Sequence, residues 1–356
     1  MDRLAKRRSD QQIMTMRNFD SPSYDFNDKR ILVTGGSGSF GNAFITAISK
    51  RFSPRKLIVY SRDEMKQYEM AQRFAPQDHP YLRYFIGDVR DRDRLEMAMR
   101  DVDVVIHAAA LKHVMVAEYN PFECIHTNVM GAENVVQAAI RAGVKRVLAL
   151  STDKAANPIN LYGASKLASD KIFVAANSLA GADGARFSVV RYGNVVGSRG
   201  SVVPYFRKLI DDRAPALPIT DSRMTRFWIT LQQGVNFVMS SLATMEGGEI
   251  FVPKIPSMKM TDLATAMAPN MAQEVIGIRP GEKLHEVMIT ADDARVTLEL
   301  EDRYVIAPAF PFWTANHLNI AGATPAADGF IYASDTNKEW LTPAALNEML
   351  TSASLA

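Results

Sequence analysis

At 356 residues the chain can hold one doubly wound domain plus a smaller lobe around a sizeable core. A formal charge of +2 leaves no electrostatic footprint for nucleic acid. The single cysteine, Cys124, excludes an intramolecular disulfide and a cysteine metal cluster; the six histidines lack the H-x-x-x-H spacing of a zinc helix, and no metal is expected. His107 and His113 read as core or loop residues.

Residues 1–28 are polar, carry Lys6-Arg7-Arg8, contain no stretch of signal-peptide type and read as a flexible basic tail. No apolar run anywhere reaches the roughly 18 residues that suggest a membrane span, so a cytoplasmic protein is expected. The first strand is predicted over Arg30-Ile31-Leu32-Val33-Thr34 and runs into Gly35-Gly36-Ser37-Gly38-Ser39-Phe40-Gly41, followed by an amphipathic helix from about Asn42 to Arg51. This is the strand–turn–helix setting of a dinucleotide fingerprint, spaced G-x-x-G-x-x-G. Gly35 and Gly38 would let the backbone approach a pyrophosphate, Gly41 would let the helix pack on the sheet, and the helix N-terminus would receive the charge.

A second strand, Lys56-Leu57-Ile58-Val59-Tyr60, ends in Ser61, Arg62, Asp63, Glu64, Met65 and Lys66. A carboxylate at this place suits the ribose of NAD, whereas arginine accommodates a 2′-phosphate. Ser61 and Arg62 come first and Lys66 follows, which favours NADP, while Asp63 could turn inward in the opposite sense. Tyr84 to Val89 reads as a third strand whose polar end, Asp88-Val89, could meet adenine. Asp103 to Ala110 is a fourth, ending in small residues such as Ala108 that let a cofactor approach. Lys112 follows at the mouth of the cleft.

Lys145 to Leu150 is a fifth strand that delivers Ser151-Thr152-Asp153-Lys154 at its carboxyl end, where ligands bind in open parallel sheets. Tyr162 and Lys166 are four apart in a predicted helix and share a face. A phenol with a pKa of about 10 is a poor base until a cation favours the phenolate, and Lys166 is placed to supply one. Alone, a Tyr-x-x-x-Lys pair is common, and Asp153-Lys154 alone could be a loop salt bridge; behind a dinucleotide turn they read as a redox site with an acid–base pair. Phe187 to Arg191 is a sixth strand and Glu249 to Val252 a seventh. The predicted fold is α/β, a doubly wound parallel sheet with a smaller α/β lobe. The dinucleotide domain covers 29–197, its sheet completed at about 249–252, the substrate lobe 198–300, and a C-terminal extension 301–356 is the least readable part.

Four segments carry a family resemblance: Ser151 to Tyr162, Val190 to Gly200, Met224-Thr225-Arg226-Phe227-Trp228, and Gly277 to His285. From about Lys29 to Ile306 the chain resembles the soluble, inverting UDP-N-acetylglucosamine 4,6-dehydratases of pseudaminic acid biosynthesis, within the extended short-chain dehydrogenase/reductase superfamily. The dTDP-glucose dehydratases carry Asp-Glu where this chain has Asp153-Lys154, and the long membrane-bound retaining relatives typically have Met in place of Tyr162. The charged tail is a departure that leaves the site untouched.

The resemblance implies cofactor contacts at Gly35, Ser37, Gly38, Ser39, Phe40 and Gly41, along Ser61 to Lys66, at Asp88, Val89, Ala108, Lys112, Tyr162 and Lys166, and at Val195, Val196, Gly197 and Ser198. Arg199 serves cofactor or substrate. It implies UDP-N-acetylglucosamine contacts at Lys112, Asn194, Val202, Arg279 and Glu282, with Arg279 presenting paired donors to a diphosphate. Tyr162, biased by Lys166, takes the 4-hydroxyl proton as hydride passes to NADP, and Thr152 holds that hydroxyl. The ketone acidifies carbon 5; Lys154, neutral because burial and Lys166 lower its pKa, is the expected base there, and protonated Asp153 the acid for the departing 6-hydroxyl. Hydride then returns to carbon 6, and carbon 5 is reprotonated from the opposite face. A homo-oligomer, dimer or hexamer, is implied. The rival readings are a nucleotide-sugar 4-epimerase, a retaining dehydratase and a non-catalytic NADP-sensing protein.

Overall fold

A computed structural model of the chain describes residues 16–198, 200–309 and 320–354. Five strands whose residues are apolar almost throughout, Arg30–Thr34, Lys56–Ser61, Val104–His107, Arg146–Thr152 and Arg186–Tyr192, pair in parallel, as strands covered on both faces should. From one edge the ten-stranded sheet runs Leu82–Ile86, Lys56–Ser61, Arg30–Thr34, Val104–His107, Arg146–Thr152, Arg186–Tyr192, Ile250–Pro253, Arg303–Ile306, Thr297–Glu299 and Thr324–Pro325. The chain reverses direction in the sheet between the first strand's two neighbours, so the strand ends open a crevice there. Two groups of helices cover the sheet. Ser39–Arg51 packs on Leu231–Thr244, while Gly131–Arg141 lies between Arg92–Ala98 and Leu161–Ala180.

The carboxyl-terminal part departs from expectation. Ile250–Pro253 joins Arg186–Tyr192 in parallel, as predicted for the seventh strand, but the sheet does not stop there. Arg303–Ile306 adds antiparallel, followed by Thr297–Glu299 and Thr324–Pro325, so part of the presumed C-terminal extension belongs to the main sheet. Tyr304 and Val305 are buried in the main core, and that burial draws the segment in.

The tail is likewise corrected where it is described. Phe19 and Phe26 are buried in the main core, Phe19 meets Phe237 edge-to-face at 5.1 Å, and Arg17 pairs with Glu339 at 2.7 Å. Aromatics among the polar residues anchor Met16 to Asp28; residues 1–15 lie outside the described part.

The smaller lobe has its own core, in which Phe206, Leu217, Trp228, Met258, Leu263 and Leu346 are buried together. It carries a parallel pair, Ala216–Ile219 with Ala272–Val275, and a three-stranded sheet of Ser257–Lys259, Thr225–Ile229 and Asn194–Val195. The last of these lies in a stretch that reads as loop, since two residues are too few to show alternation. No described helix is long and apolar enough to cross a membrane.

Candidate active site

The two cores are separated by a cleft of about 1230 Å³ that runs from the glycine turn to the smaller lobe. At one end Gly35 has φ +66°, and a Cβ there would lie 2.9 Å from Ala109 backbone atoms, so only glycine lets the turn close on the end of Val104–His107. Gly41 does not line the cleft; a Cβ on it would run into the backbone of Gly36, so it sets the helix against the turn. Ser37, Gly38, Ser39 and Phe40 line this end with Ser61, Arg62, Asp63, Lys66, Asp88, Val89 and Ala108. The glycine cradle and the polar strand ends fit a dinucleotide. Glu64 and Met65 lie outside the cleft, Met65 largely exposed on the helix Glu64–Arg73. Val196 is buried in the smaller lobe's core and Gly197 turns the chain at φ +72°; neither lines the cleft, whereas Val195 and Ser198 do. Arg199 lies outside the described residues.

At the other end the fifth strand runs to Thr152, and a single tight helical turn, Asp153–Ala155, follows. Asn160 caps the next helix, its Oδ1 accepting from Gly163 N at 2.7 Å, and so sets Tyr162 and Lys166 on the cleft side. Lys166 Nζ donates to the Leu150 carbonyl at 2.7 Å, and burial lowers its pKa against the raising influence of Asp170. Burial pushes Tyr162 up to about 12, opposed by Lys154 and by a hydrogen bond with Thr152. The Lys154 ammonium therefore favours the phenolate here, beside the Lys166 expected to do so.

Lys154 itself is not the neutral amine that burial and Lys166 were expected to make it. Its Nζ lies 3.1 Å from Asp153 Oδ1 and 3.1 Å from Glu286 Oε1. Burial disfavours the ammonium, and Arg226 does so to a lesser extent, but the two carboxylates outweigh both and raise the pKa. The amine is held charged, not neutral. Asp153 is fully buried, which raises its pKa, as does Glu286, against the lowering pull of Lys154 and Thr152. Thr152 Oγ1 donates to Asp153 Oδ1 at 2.9 Å, while Asp153 Oδ2 is buried without a partner. Asp153 thus sits behind Thr152 and Lys154, which line the cleft in front of it.

Lys112, Asn194, Val202, Arg279 and Glu282 line the lobe side of the same cleft, and Arg279 faces Glu282 at 3.8 Å. Burial lowers the pKa of Lys112. Glu286 and Arg226 were missed as site residues, although Arg226 stands inside the Met224–Trp228 segment and Glu286 directly follows the Gly277–His285 one. Among the described residues no His, Cys, Asp and Glu cluster could hold a metal.

A family described as polysaccharide biosynthesis protein matches residues 31–308. The chain belongs to that family. Within it, the chain is 58% identical over 331 residues to a UDP-N-acetylglucosamine 4,6-dehydratase (inverting) of Campylobacter jejuni, covering 91% of this chain and 98% of that protein. It is 40% identical over 292 residues to a UDP-glucose 4-epimerase of Rickettsia canadensis, covering 79% of this chain and 83% of that protein. Among solved structures, Pen from Bacillus thuringiensis superposes with a TM-score of 0.84 at 35% identity, over 93% of this chain and 99% of that one. A dTDP-glucose 4,6-dehydratase of Streptomyces venezuelae, DesIV, solved as a double mutant with NAD bound, superposes at 0.63 and 25% identity, over 72% of this chain and 86% of that one. The extended short-chain dehydrogenase/reductase fold expected from the motifs is the fold observed.

Proposed function

We propose that the chain is a UDP-N-acetylglucosamine 4,6-dehydratase that inverts carbon 5, uses NADP and performs the first step of pseudaminic acid biosynthesis. The observation that carries the reading is the pair of buried Asp153 and cleft-lining Lys154 beside Tyr162. A 4-epimerase needs only to remove and return hydrogen at carbon 4, for which Tyr162 and a dinucleotide suffice. Dehydration also needs a base for carbon 5 and an acid for the 6-hydroxyl. The 58% identity to the inverting dehydratase exceeds that to the epimerase and supports the same choice.

A dinucleotide held by the turn at Gly35, Ser37, Gly38, Ser39 and Phe40 and by the strand ends at Ser61, Arg62 and Asp88 would supply the acceptor, and later the donor, of the hydride that moves from carbon 4 to carbon 6. Tyr162 removes the 4-hydroxyl proton, its phenolate favoured by the Lys154 ammonium. The charged state of Lys154 changes how the next step must run. Moving one proton across the 3.1 Å from Nζ to Asp153 Oδ1 turns ammonium and carboxylate into amine and carboxylic acid. The N–H bond breaks, the O–H bond forms, and both required species arise together. The amine then takes the carbon 5 proton. Asp153 serves as the acid for the departing 6-hydroxyl through the Thr152 hydroxyl that stands between it and the cleft: Asp153 gives its proton to Thr152 Oγ1 as Thr152 gives its own to the leaving oxygen. Arg279 and Lys112 neutralise the diphosphate.

For the cofactor, Asp63 caps the helix that follows, accepting from Lys66 N at 3.0 Å and pairing with Lys66 Nζ, while Arg62 stands at the cleft; this supports NADP. An exposed apolar patch of Met115, Val116, Tyr119 and Phe122 supports assembly into a homo-oligomer, which sedimentation measures directly. The test of the reaction is proton NMR of UDP-N-acetylglucosamine with the protein and catalytic NADP in D₂O. A new 6-methyl signal, deuterium at carbon 5 and L-arabino couplings are expected. A methyl signal with retained configuration would move the chain to the retaining group, and an unchanged sugar would remove the assignment.

A further inference from the structure

Glu286 is a buried carboxylate that the dehydration chemistry above does not use. It belongs to the loop before the strand Val287–Ile289, and its backbone is anchored without its side chain: N donates to Ser334 Oγ at 2.9 Å and the carbonyl accepts from Ser334 N at 2.8 Å. The carboxylate instead points at the reacting pair. Oε1 lies 3.1 Å from Lys154 Nζ and 3.7 Å from Arg226 Nε, and Oε2 is buried with no partner. Arg226 does not depend on it, because that guanidinium donates to the carbonyls of Thr225, Leu284 and Lys283 at 2.7, 3.2 and 2.9 Å. A buried carboxylate oxygen without a partner calls for an explanation beyond the fold's own hydrogen bonding.

We propose that Glu286 is a positioning residue of this site: its carboxylate fixes Lys154 Nζ beside Asp153 and holds the proton that those two share within the pair. The proposal rests on the dehydratase reading above. The charged and titratable groups around it are Lys154 and Asp153 from the turn after the fifth strand, Arg226 from Thr225–Ile229, and Lys283 from its own loop. Tyr162 acts on Lys154 from the helix that follows, and His285 is turned away to Thr225 Oγ1 at 2.8 Å. Glu286 itself stays ionised: burial favours its protonation, but Lys154, Arg226 and Lys283 prevail. A fixed negative charge at this distance raises the proton affinity of both Asp153 and Lys154. The Lys154–Asp153 pair therefore keeps its proton to a higher pH than it would alone.

The experiment is Glu286→Gln, which keeps shape and removes charge. The pH profile of kcat for 6-methyl formation is expected to lose its alkaline limb at a pH about 1–3 units lower than in the unaltered protein, with the loss in kcat and not in KM. Glu286→Asp keeps the charge with a shorter reach, so its limb should stay near the original while kcat falls. Independently of turnover, the ¹³Cε resonance of Lys154, assigned by its loss in Lys154→Met, should titrate at lower pH in Glu286→Gln. A uniformly reduced rate with an unmoved pH profile and an unmoved Lys154 titration would overturn the proposal and leave Glu286 a packing residue. If the unaltered protein makes no 6-methyl product, the dehydratase reading falls, and the Lys154 titration still decides the role of Glu286.

Discussion

The two ends of the cleft use the same kinds of charged residue in opposite surroundings. At the glycine-turn end the side chain of Arg62 is 55% exposed and that of Lys66 44%; at the other end those of Asp153 and Glu286 are 1% and 2% exposed. Water screens the first set, so those charges can select a ligand but each contact contributes little. In the second set each carboxylate acts on Lys154 across 3.1 Å with little screening, so protonation states there depend on one another. The lesson is that position along one cleft sorts recognition from proton chemistry through burial, with no change in residue types.

The largest effect is expected from breaking the buried end. Asp153→Asn removes the acid and also the acceptor that frees the Lys154 amine. It should abolish 6-methyl formation by at least the 10²–10⁴-fold typical of one acid–base group, and abolish deuterium uptake at carbon 5 with it. If carbon 5 still exchanges with solvent in D₂O, Lys154 is deprotonated without Asp153 and the shared-proton reading is wrong. Tyr162→Phe should lower the rate by about 10²–10⁴-fold while leaving binding of UDP-N-acetylglucosamine unchanged by calorimetry. A protein that only senses NADP would lose nothing in either variant.

Between the ends stands His107, whose Nδ1 lies 2.8 Å from Thr34 Oγ1. Complete burial, then Lys166, pushes its pKa from 6.5 to about 3. Its folded pKa is depressed, so below pH 6.5 the unfolded chain binds a proton that the folded protein refuses. Stability from this group is full above the unfolded value and is lost as pH falls towards about 3. The slope is about 1.4 kcal/mol per pH unit across that window. His107→Gln should flatten the dependence of unfolding free energy on pH by that amount between pH 6 and 4, measured by urea denaturation. Equal slopes in the two proteins would show that His107 titrates normally.

The exposed end was the more legible of the two in the sequence, and for a physical reason. A turn that needs glycine, an apolar strand before it and a polar strand end after it are local patterns. Gly35, Ser61, Arg62 and Asp88 could therefore be placed on the cleft from spacing alone, and the structure puts them there. The buried end was legible only in its local part, the run from Thr152 to Lys166. Glu286 reaches Lys154 from 132 residues further along the chain, and no spacing encodes that contact. The expectation of a neutral Lys154 failed because it weighed burial and one cation, and did not know of a second carboxylate. Phe19, Phe26 and Tyr304 were missed for the related reason that isolated aromatics in polar surroundings show no period until the core that receives them is known.

The smallest effect belongs to Arg62, and it tests the exposed end on its own terms. The guanidinium lies 3.5 Å from Asp88, which Arg90 also holds through Nη2 at 2.7 Å. Arg62 is therefore not needed to neutralise Asp88, and its removal should leave the fold unchanged. What it can do is meet a 2′-phosphate, because Asp63 is engaged at the helix N-terminus and in the pair with Lys66. A screened contact of this kind is worth about 1–2 kcal/mol, so Arg62→Ala should weaken NADP binding by about ten-fold and leave NAD binding unchanged. The difference should shrink with added salt, as exposed charge contacts do, whereas the effects at Asp153 and Glu286 should not. Equal losses for the two dinucleotides would mean that Arg62 meets the shared pyrophosphate or adenine, and the preference for NADP would then have to come from Lys66 or Ser61.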